Sequence, residues 1–361
     1  MIYKIIDRIS PSLFYVILKI LRLVRSNKEK KLAFTFLIEF PECYLTYEPI
    51  ITDLIKRHYK VSVFIYTDGY IKQFDRDELS FPLPAGVVIL DSMPKKFGTL
   101  ILHNPYDLDR LRTHSFFNLY QRSHRVCFIS YGIEVAGGRT DTHYRLPAMR
   151  YSDFVLAPSE RIYLNHMTCS GMNLNKKRLI KSQHPYLRQA TLLSNSETPV
   201  YDVMYSIHHS IDKDNDLCTF AKYGVQILEI LQRETHLSVI FRPHPLFLQK
   251  IATTNHFDTY NDLIQLNNVT VSTKNDFLSD IVSSKKVITD VSSLVPVINA
   301  ANKNVLVLSN NQKNMESSQH MHREYSSADL KKFLTGEMDF EGYNDDTFFN
   351  NFSIVDKICV E

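Results

Sequence analysis

Short apolar runs alternate with amphipathic stretches along most of the chain, a pattern that predicts strands alternating with helices. In the first half the predicted strands cover residues 32–40, 61–66, 87–90, 99–103, 126–130 and 154–157. Helices are predicted over residues 46–58 and 107–121, and another begins after Ser159, a residue type that caps helix N-termini well. Strands that alternate with helices favour a parallel sheet covered by helices on both faces.

The alternation lapses at residues 192–199, a polar stretch that ends in proline, and then restarts. Beyond it, strands are predicted over residues 202–207, 237–241, 269–272, 287–289 and 305–308. Helices are predicted over residues 217–234 and 277–284, with a third from Ser293. We therefore predict two consecutive doubly wound α/β domains, residues 31–195 and 196–361, preceded by a helical segment over residues 1–30.

The N-terminal segment has a different pattern, because residues 13–24 are apolar except for two cations, Lys19 and Arg22, and further cations precede and follow. This run is shorter than the ~20 residues that cross a bilayer, and no cleavage site for a signal peptide follows it. A helix would separate Lys19, Arg22 and Arg25 on one side from Phe14, Ile17, Leu21 and Val24 on the other. We predict an amphipathic helix lying in the interface of an anionic membrane surface; a core-packing or oligomerising helix is the alternative.

Composition describes an ordinary globular protein and excludes several other classes. Hydrophobic residues make up 44% of the 361 residues and charged residues 22%, enough apolar material for sizeable cores. The net charge of +3 is too small to indicate a nucleic-acid partner. The five cysteines are widely separated and form no C-x-x-C pair, which fits a reducing cytoplasm and predicts neither a disulfide framework nor a zinc site.

Candidate chemistry is concentrated where the predicted strands of the second domain end. Residues 241–245, Phe-Arg-Pro-His-Pro, follow one strand, and residues 289–293, Thr-Asp-Val-Ser-Ser, follow another. A third polar run, Ser-Ile-His-His-Ser over residues 206–210, follows the first strand of this domain. Because ligands of open α/β sheets bind beyond the carboxyl ends of strands, these runs predict one site for an anionic, phosphate-bearing ligand.

The residue types suggest how such a ligand is held. Arg242 can form a two-pronged hydrogen bond to a phosphate, and His244, restricted by two flanking prolines, can donate to a phosphate or leaving-group oxygen. Hydroxyls and backbone N–H groups at the start of the third helix can also bind phosphate. The alternatives are a structural turn for the first motif and a plain N-cap for the second. The predicted donor-binding residues are Arg242, His244, Ser292, Ser293, Asp290 and His208.

Metal chemistry is not predicted. No two histidines and a carboxylate stand at metal-ligand spacing on one predicted element. The sequence therefore predicts neither a catalytic metal nor another cofactor.

In these motifs the chain resembles the CDP-glycerol glycerophosphotransferase family, enzymes that build teichoic acids and related capsule polymers. Residues 275–280, Asn-Asp-Phe-Leu-Ser-Asp, and residues 288–293, Ile-Thr-Asp-Val-Ser-Ser, are similar to that family, and residues 241–245 are similar to its Y-R-P-H-P. The resemblance covers mainly residues 200–310. It implies the GT-B architecture, in which two Rossmann-like domains face a cleft, with residues 31–195 on the acceptor side and residues 196–361 binding the nucleotide donor. Capsule transferases that use CMP-sialate or CMP-Kdo carry similar His-Pro and Ser-Ser pairs, so the transferred group stays open.

The match is weaker in the first domain. The family carries a His-Gly pair after a strand, with the histidine implied as catalytic base, whereas this chain has Tyr131-Gly132. Glu134 is chemically the better base, because a tyrosine pKa near ~10 demands strong activation. Glu134 and Tyr131 are therefore the candidate bases beside His244, and a tight turn with its ring packed between domains is the alternative. The Gly-Gly-Arg sequence at residues 137–139 would suit a mobile acceptor loop.

Together these observations predict a cytoplasmic transferase held on the inner face of the plasma membrane. It would move a glycerophosphate, polyol-phosphate or sugar group from a cytidine-activated donor to a hydroxyl of a surface-polymer or lipid-linked acceptor. Such a reaction belongs to capsule, teichoic acid or lipopolysaccharide synthesis. The alternatives are a glycosyltransferase that uses CMP-sialate, CMP-Kdo or another nucleotide sugar, and a non-catalytic nucleotide-binding subunit that has lost its base.

Overall fold

The chain forms two compact units, each built on its own sheet. The computed structural model describes residues 10–25, 33–39, 43–66, 83–107, 110–134, 143–170, 176–211, 217–273, 276–309, 325–339 and 348–359. The first unit comprises Met1–Tyr131, Arg139–Pro185 and Thr347–Glu361; the second comprises Gly132–Gly138 and Tyr186–Asp346. The predicted acceptor loop at residues 137–139 lies outside the described residues.

The first unit is built on a parallel sheet in the order β3-β2-β1-β4-β5-β6-β7. Its strands are β1 (Ala33–Ile38), β2 (Lys60–Ile65), β3 (Val88–Leu90), β4 (Phe97–Leu102), β5 (Ser123–Phe128), β6 (Phe154–Ala157) and β7 (Leu179–Lys181). β1 and β4 are buried along almost their whole length, because both faces of a parallel sheet are covered. The strand order reverses between β1 and β4, and the topological switch point of this sheet lies there.

Helices cover this sheet through regularly spaced apolar positions. The helices before the second unit are α1 (Pro11–Arg25), α2 (Cys43–Lys56), α3 (Phe116–Arg122), α4 (Pro147–Tyr151) and α5 (Glu160–Cys169). α2 packs Tyr47, Ile50 and Leu54 into the core, since residues three and four apart share one helix face. Ser159 caps α5 as predicted, and its Oγ accepts the N–H of Ile162 at 3.2 Å.

The predicted helix over residues 107–121 is wrong in its extent. A 3₁₀ turn covers Arg112–His114 instead, and α3 begins only at Phe116. The cause lies in Asp107, whose Oδ1 accepts the N–H of Phe116 at 2.8 Å and pairs with Arg110. A carboxylate that binds nearby backbone and side-chain donors competes with the helical hydrogen bonds that the pattern predicts.

The second unit repeats the same plan on a parallel sheet in the order β10-β9-β8-β11-β12. Its strands are β8 (Tyr201–Ile207), β9 (Val239–Pro243), β10 (Val269–Val271), β11 (Ser284–Asp290) and β12 (Asn304–Leu308). The order reverses between β8 and β11, which places the switch point of this sheet between these strands.

The helices of the second unit match most of the predicted positions. They are α6 (Pro185–Ser194), α7 (Phe220–Arg233), α8 (Pro245–Ile251), α9 (Phe257–Ile264), α10 (Phe277–Val282), α11 (Val295–Ala300) and α12 (Ser327–Thr335). α7 buries Tyr223, Ile227 and Leu231 at helical spacing, and these side chains join the core beneath the sheet. α12 begins with a capping box between Ser326 and Asp329.

Two segments differ from the sequence-based division of the chain. α6 extends into the polar stretch at residues 192–199. The Oγ of Ser194, its last residue, donates to the carbonyl of Ala301 at 2.5 Å. The chain passes from the first unit to the second at Pro185–Tyr186, where the sequence suggests 195–196. Near the C-terminus, α13 (Ile354–Cys359) buries Ile354 and Ile358 in the core of the first unit. The hydrophobic periodicity of the sequence predicts that α13 has an apolar face. It does not predict whether that face packs into the core of the first unit or of the second.

α1 forms where predicted, but the side of the helix that packs against the protein differs from the prediction. Arg22 is buried and forms a bidentate ion pair with Asp153, with N–O distances of 2.6 and 2.7 Å. Phe14 packs edge-on against Phe117 and Tyr151, with ring centroids 5.4 Å apart in both pairs. The prediction that Arg22 faces lipid headgroups is therefore wrong, because a carboxylate 131 positions away binds it. Among the described helices, none is long and apolar enough to cross a membrane.

Candidate functional site

The polar runs predicted in the second domain do end neighbouring strands of one sheet. His208 follows β8, His244 follows β9 and Asp290 is the last residue of β11. β8 pairs with both β9 and β11, so all three residues lie at the carboxyl edge around the switch point. This is the position at which doubly wound sheets bind their ligands.

Asp290 organises this edge from inside the protein. Its Oδ2 accepts the backbone N–H of His208 at 2.7 Å, and its Oδ1 accepts the backbone N–H of Thr219 at 3.2 Å and the Thr219 hydroxyl. Burial raises the pKa of Asp290 to about 7, although these hydrogen bonds act in the opposite direction. The structure therefore gives Asp290, predicted as a donor-binding residue, a positioning role: it ties the end of β8 to the start of α7.

Three histidine rings gather above this carboxylate. The ring centroids of His208 and His209 are 4.1 Å apart, those of His209 and His244 4.7 Å, and those of His208 and His244 6.2 Å. His208 and His209 are half-buried and His244 is exposed, so the cluster opens towards solvent. His209 belongs to this group as much as His208 does, although the sequence-based set of donor-binding residues omits it.

Local hydrogen bonds fix the proton on two of these rings. Nδ1 of His244 accepts the N–H of Leu246 at 3.1 Å, which makes His244 the N-cap of α8. Nδ1 of His208 accepts the N–H of Ser210 at 3.3 Å. An acceptor nitrogen carries no hydrogen, so both neutral rings carry their proton on Nε2 and present an N–H donor there.

The protonation state of His244 follows from its surroundings. Loss of hydration around the ring, with smaller electrostatic contributions from His209, Arg242 and Lys250, lowers the pKa of His244 to about 4. The ring is therefore neutral near pH 7 while no anion is bound. An anion placed at Nε2 would receive a hydrogen bond and would raise this pKa.

Arg242 lies beside the cluster but is engaged by the protein itself. One guanidinium nitrogen, NH1, pairs with Asp280 and donates to Ser272 at 3.0 Å. Asp280 is almost fully buried, so this pair fixes the direction of the arginine side chain. A ligand phosphate would have to share the guanidinium with Asp280, which makes a full two-pronged contact through NH1 unavailable to it.

Ser292 and Ser293 form the turn between β11 and α11. The Oγ of Ser292 accepts the N–H of Leu294 at 3.3 Å, as a local turn does, and Ser293 is exposed. α11 has six residues, and its N-cap Leu294 makes no side-chain capping bond. Ser293 is thus the hydroxyl of the pair that faces solvent beside the switch point.

The two candidate bases fall in different units. Tyr131 ends the first unit, where its N–H donates to the carbonyl of His103 at 3.3 Å and its side chain is 41% exposed. The preceding carbonyl, that of Ser130, accepts Nε2–H of His184 at 2.9 Å. Glu134 is half-buried in the second unit. The assignment of the base to either residue stays a prediction.

A buried polar cluster at the switch point of the first sheet is missing from the sequence-based prediction. Glu39 follows β1, and both its oxygens bind Arg110, at 2.6 and 2.8 Å. His103 follows β4, is fully buried, and lies 2.7 Å from the Tyr47 hydroxyl through Nδ1. Burial and the charge of Arg110 lower the pKa of His103 to about 3. The predicted strands 32–40 and 99–103 include Glu39 and His103, and only the structure shows that β1 ends at Ile38 and β4 at Leu102.

No group of three or more side chains suited to a metal ion occurs among the residues that the structure describes. The rings of the histidine cluster are tilted against one another, with interplanar angles of 34° between His208 and His209 and 45° between His209 and His244. Its geometry suits hydrogen bonding to an extended anion.

Comparison with known proteins gives the fold. No family model matches the chain, and no curated protein resembles it significantly in sequence. Among solved structures, UDP-GlcNAc 2-epimerase from Methanocaldococcus jannaschii, in complex with UDP-GlcNAc and UDP, aligns over 90% of this chain and 97% of its own, with 13% identity and a TM-score of 0.56. UDP-GlcNAc 2-epimerase from Neisseria meningitidis aligns over 84% and 91%, with 14% identity and a TM-score of 0.50.

The wall teichoic acid polymerase TagF is more distant in shape. It aligns over 84% of this chain and 76% of its own, with 12% identity and a TM-score of 0.47, a level from which nothing is transferred. At identities this low, the epimerase likenesses establish architecture and not activity. They confirm the expected α/β fold class: two parallel, Rossmann-like sheets with covering helices, as in GT-B-type enzymes.

Proposed function

We propose that this protein is a GT-B-type transferase whose second unit holds the phosphates of a nucleotide-activated donor between the ends of β8 and β11. The observation that carries the proposal is the histidine cluster at this switch point, in which His208 and His244 are fixed as Nε2–H donors. A cluster of N–H donors at the edge of a parallel sheet suits a diphosphate or phosphodiester better than an apolar ligand.

The donor site would use its residues in three ways. His244 and His208 donate from Nε2 to phosphate oxygens, the His209 ring lies close to both, and Ser293 adds a hydroxyl. Arg242, held by Asp280, supplies positive charge at the side of the site. Asp290 accepts the backbone N–H of His208 and so positions the end of β8. Ser292 accepts the backbone N–H of Leu294 and so stabilises the turn after β11.

The donor that we propose is cytidine-activated, a CDP-glycerol or related CDP-polyol, as the motif resemblance implies. The acceptor hydroxyl oxygen forms a bond to the phosphorus of the transferred group, and the bond from that phosphorus to the departing CMP oxygen breaks. Negative charge grows on the departing phosphate, where the Nε2–H of His244 stabilises it. The hydroxyl proton passes to a base, for which Glu134 and Tyr131 are the candidates.

The acceptor side and the location complete the proposal. Residues 31–195 would bind a surface-polymer or lipid-linked acceptor, and residues 196–361 the donor. The product would be a teichoic acid, capsule or lipopolysaccharide polymer. Because lipid-linked acceptors lie in a bilayer, we propose that the protein works in the cytoplasm at the inner face of the plasma membrane, held there through α1.

A nucleotide-release assay tests the chemistry. Purified protein is offered CDP-glycerol, CMP-sialate and a panel of UDP-sugars, with and without a short soluble polymer acceptor. Acceptor-dependent release of CMP from CDP-glycerol supports the proposal, and release from CMP-sialate alone would move the function to a glycosyltransferase. Release of UDP alone, or inversion at C2 of UDP-GlcNAc without acceptor, would contradict a cytidine-using transferase.

One observation keeps a non-catalytic nucleotide-binding subunit as a second candidate. Tyr131 stands where the resembling family has its basic histidine, and the tyrosine side chain is a weak base near pH 7. Tight cytidine nucleotide binding without turnover of any donor in the panel would favour this candidate.

A further inference from the structure

The outer face of α1 is an apolar ridge. Leu13, Val16 and Ile20 are 55%, 50% and 55% exposed, and Ile17 and Leu21 are also exposed. Positions 13, 16, 17, 20 and 21 recur at helical spacing, so these side chains form one continuous stripe, which we call the α1 ridge. Contiguous apolar surface on a folded protein marks a place where something else binds.

The opposite face of α1 fixes the ridge in its outward orientation. Leu18 is buried, Phe14 packs against Phe117, and Arg22 pairs with Asp153 while its guanidinium lies 4.3 Å from the Tyr120 ring centroid. Rotating the helix to bury the ridge would break a buried ion pair, which is strongly destabilising. Exposure of the ridge is therefore a property of the folded first unit.

Positive charge lies along the side of α1 that carries Tyr15, where the Nζ of Lys19 is 4.9 Å from the ring centroid. Lys19 is exposed on α1 itself, and the Arg178 guanidinium lies 4.5 Å from the Tyr15 ring centroid. This contact brings the 3₁₀ turn Lys176–Arg178 beside α1, and Lys176 and Lys177 in that turn are exposed. Two lysines from a distant part of the sequence are thus exposed in a turn that contacts α1.

Basic residues are also concentrated in the N-terminal part of the sequence. Residues 1–31 contain eight basic and two acidic side chains, whereas the whole chain carries only +3, so the remainder is net acidic. α1 has no acidic residue in its first turn. The part of the protein that carries the α1 ridge is therefore the part with the highest density of positive charge.

We propose that the α1 ridge, together with Lys19, Lys176 and Lys177, is a docking surface for an anionic lipid bilayer. Apolar side chains flanked by cations match an interface of acyl chains beneath negative headgroups. A second copy of this chain fits less well, because pairing two α1 ridges would bring like charges together. A helix of 15 residues, about 22 Å long, lies along a bilayer whose core is ~30 Å thick.

This inference deepens the proposed membrane location and rests on it, but it is independent of the transferase chemistry. It also corrects which side of α1 meets lipid: Arg22 and Phe14 face the protein, and the side from Leu13 to Ile20 faces outward. The lysines of the 3₁₀ turn enter only through the folded structure.

Vesicle co-sedimentation without nucleotide tests the surface. Full-length protein is mixed with phosphatidylcholine vesicles or with vesicles that also contain phosphatidylglycerol, at low and high salt. We expect binding to the anionic vesicles alone, weakened by salt. The double variant L13Q/I20Q and the double variant K176E/K177E should each weaken this binding about tenfold or more, because each loses apolar burial or charge attraction.

The matched control is L164Q/L192Q, which replaces two similarly exposed leucines, 52% and 59%, on helices other than α1. It should bind as the unaltered protein does, and all variants should keep the same unfolding temperature because the altered side chains face solvent. Equal vesicle binding by L13Q/I20Q and the control would overturn the docking surface while leaving the membrane location in place.

Two other outcomes also overturn the proposal. If the unaltered protein ignores anionic vesicles, both the surface and the membrane location fail, whereas nucleotide release with a soluble acceptor still tests the transferase separately. If light scattering shows a dimer that L13Q/I20Q dissociates, and no vesicle binding occurs, a second copy covers the α1 ridge.

Discussion

The switch points of the two sheets carry polar residues at equivalent positions and use them in opposite ways. In the first sheet, Glu39 follows β1 and His103 follows β4, the two central strands. Arg110, which precedes the 3₁₀ turn Arg112–His114, binds Glu39. The Glu39–Arg110 pair is bidentate and buried, and Arg110 also donates to the carbonyl of Asn104 at 2.8 Å. His103 is fully buried beside it. Charged groups here bind one another inside the protein.

In the second sheet, His208 follows β8 and Asp290 is the last residue of β11, the two corresponding central strands. The side chain of Asp290 is buried. The Asp290 carboxylate binds backbone N–H groups, and the histidines above it remain partly accessible to solvent. The Nδ1 atoms of His208 and His244 accept backbone N–H groups, so these two neutral rings carry their proton on Nε2.

The difference shows that a polar residue at a strand end is not by itself a binding residue. A buried, mutually paired cluster such as Glu39–Arg110 stabilises a fold only while both partners are present, because either charge alone is costly to bury. A solvent-accessible imidazole whose other nitrogen is held by the backbone has a fixed direction. We infer that the first edge is mainly structural and the second is the binding edge.

The largest expected effect concerns Tyr131, the exposed polar side chain at the first edge, and Glu134. We expect Glu134→Gln to reduce transfer by about 10²–10⁴-fold and to leave nucleotide affinity unchanged, as the loss of a general base does. Tyr131→Phe should have little effect. Transfer rates and nucleotide binding are measured on both variants. A large loss in Tyr131→Phe alone would make the first edge catalytic, and normal rates in both would place the base elsewhere.

Breaking the buried pair of the first edge comes next. Arg110→Ala should lower the free energy of unfolding by about 3–5 kcal/mol, because Glu39 is left buried and unpaired. The matched control is Arg57→Ala in the same unit, whose exposed ion pair with Asp356 is worth only about 0–1 kcal/mol. Urea denaturation of both variants measures the contrast. Equal losses would contradict the structural role of the first edge.

At the second edge, removal of one imidazole should affect activity rather than stability. His244→Ala should reduce turnover by about 10²-fold or more, through loss of an Nε2–H donor to the departing phosphate. His244→Asn tests this more sharply, since asparagine keeps the N-cap of α8 while removing Nε2. The control is His236→Asn, a side chain that is 69% exposed. Normal turnover in folded His244→Asn would remove His244 from the site.

The pH dependence of stability should differ between the units. Burial lowers the pKa of His103 and His166 to about 3 and that of His184 to about 4 in the first unit. The unfolded chain therefore binds more protons below pH ~6.5, and the stability contributed by these histidines is lost as pH falls from ~6.5 towards ~4. In the second unit His244 acts in the same direction.

Asp290 opposes that effect. Its pKa is raised to about 7, so its contribution to stability is present at low pH and is lost as pH rises from ~4 to ~7. We therefore expect acidification from pH ~6.5 to ~4.5 to destabilise the first unit more than the second. Hydrogen exchange resolved by peptide measures this directly. Equal or reversed loss of protection would contradict the contrast.

The smallest expected effect separates the two serines. Ser293→Ala should weaken donor binding about three- to tenfold, as the loss of one hydrogen bond of ordinary strength does. Ser292→Ala should weaken binding less, because its Oγ accepts the N–H of Leu294. Calorimetric titration with a cytidine nucleotide compares them with Ser196→Ala on the surface. Identical affinity in all three variants would exclude both serines from the donor site.

Much of the site follows from local pattern. Apolar runs mark where β8, β9 and β11 end, so the sequence alone predicted that His208, His244 and Asp290 lie at one sheet edge. The same rule did not identify Glu39 and His103, because the predicted strands 32–40 and 99–103 include both residues, whereas β1 ends at Ile38 and β4 at Leu102. What it could not supply was the choice between binding and structural roles, since that depends on burial and on partners distant in sequence.

The parts that the pattern missed all depend on long-range contacts. The sequence predicts Arg22 as a surface cation, but in the structure it pairs with Asp153. The sequence predicts Arg242 as a phosphate ligand, but in the structure it pairs with Asp280. The apolar face of α13 is visible in the sequence, but only packing assigns Ile354 to the first core.

By itself, then, the sequence determined the two parallel α/β sheets, the strand ends that carry polar residues, and an amphipathic N-terminal helix. These follow from hydrophobic periodicity, which each segment expresses locally. Only the tertiary structure decided that Asp290 points inward, that His209 joins the histidine cluster, and that the α1 ridge faces outward. The physical reason is that the cost of burying a charge or exposing an apolar face depends on which partners the folded chain brings to it.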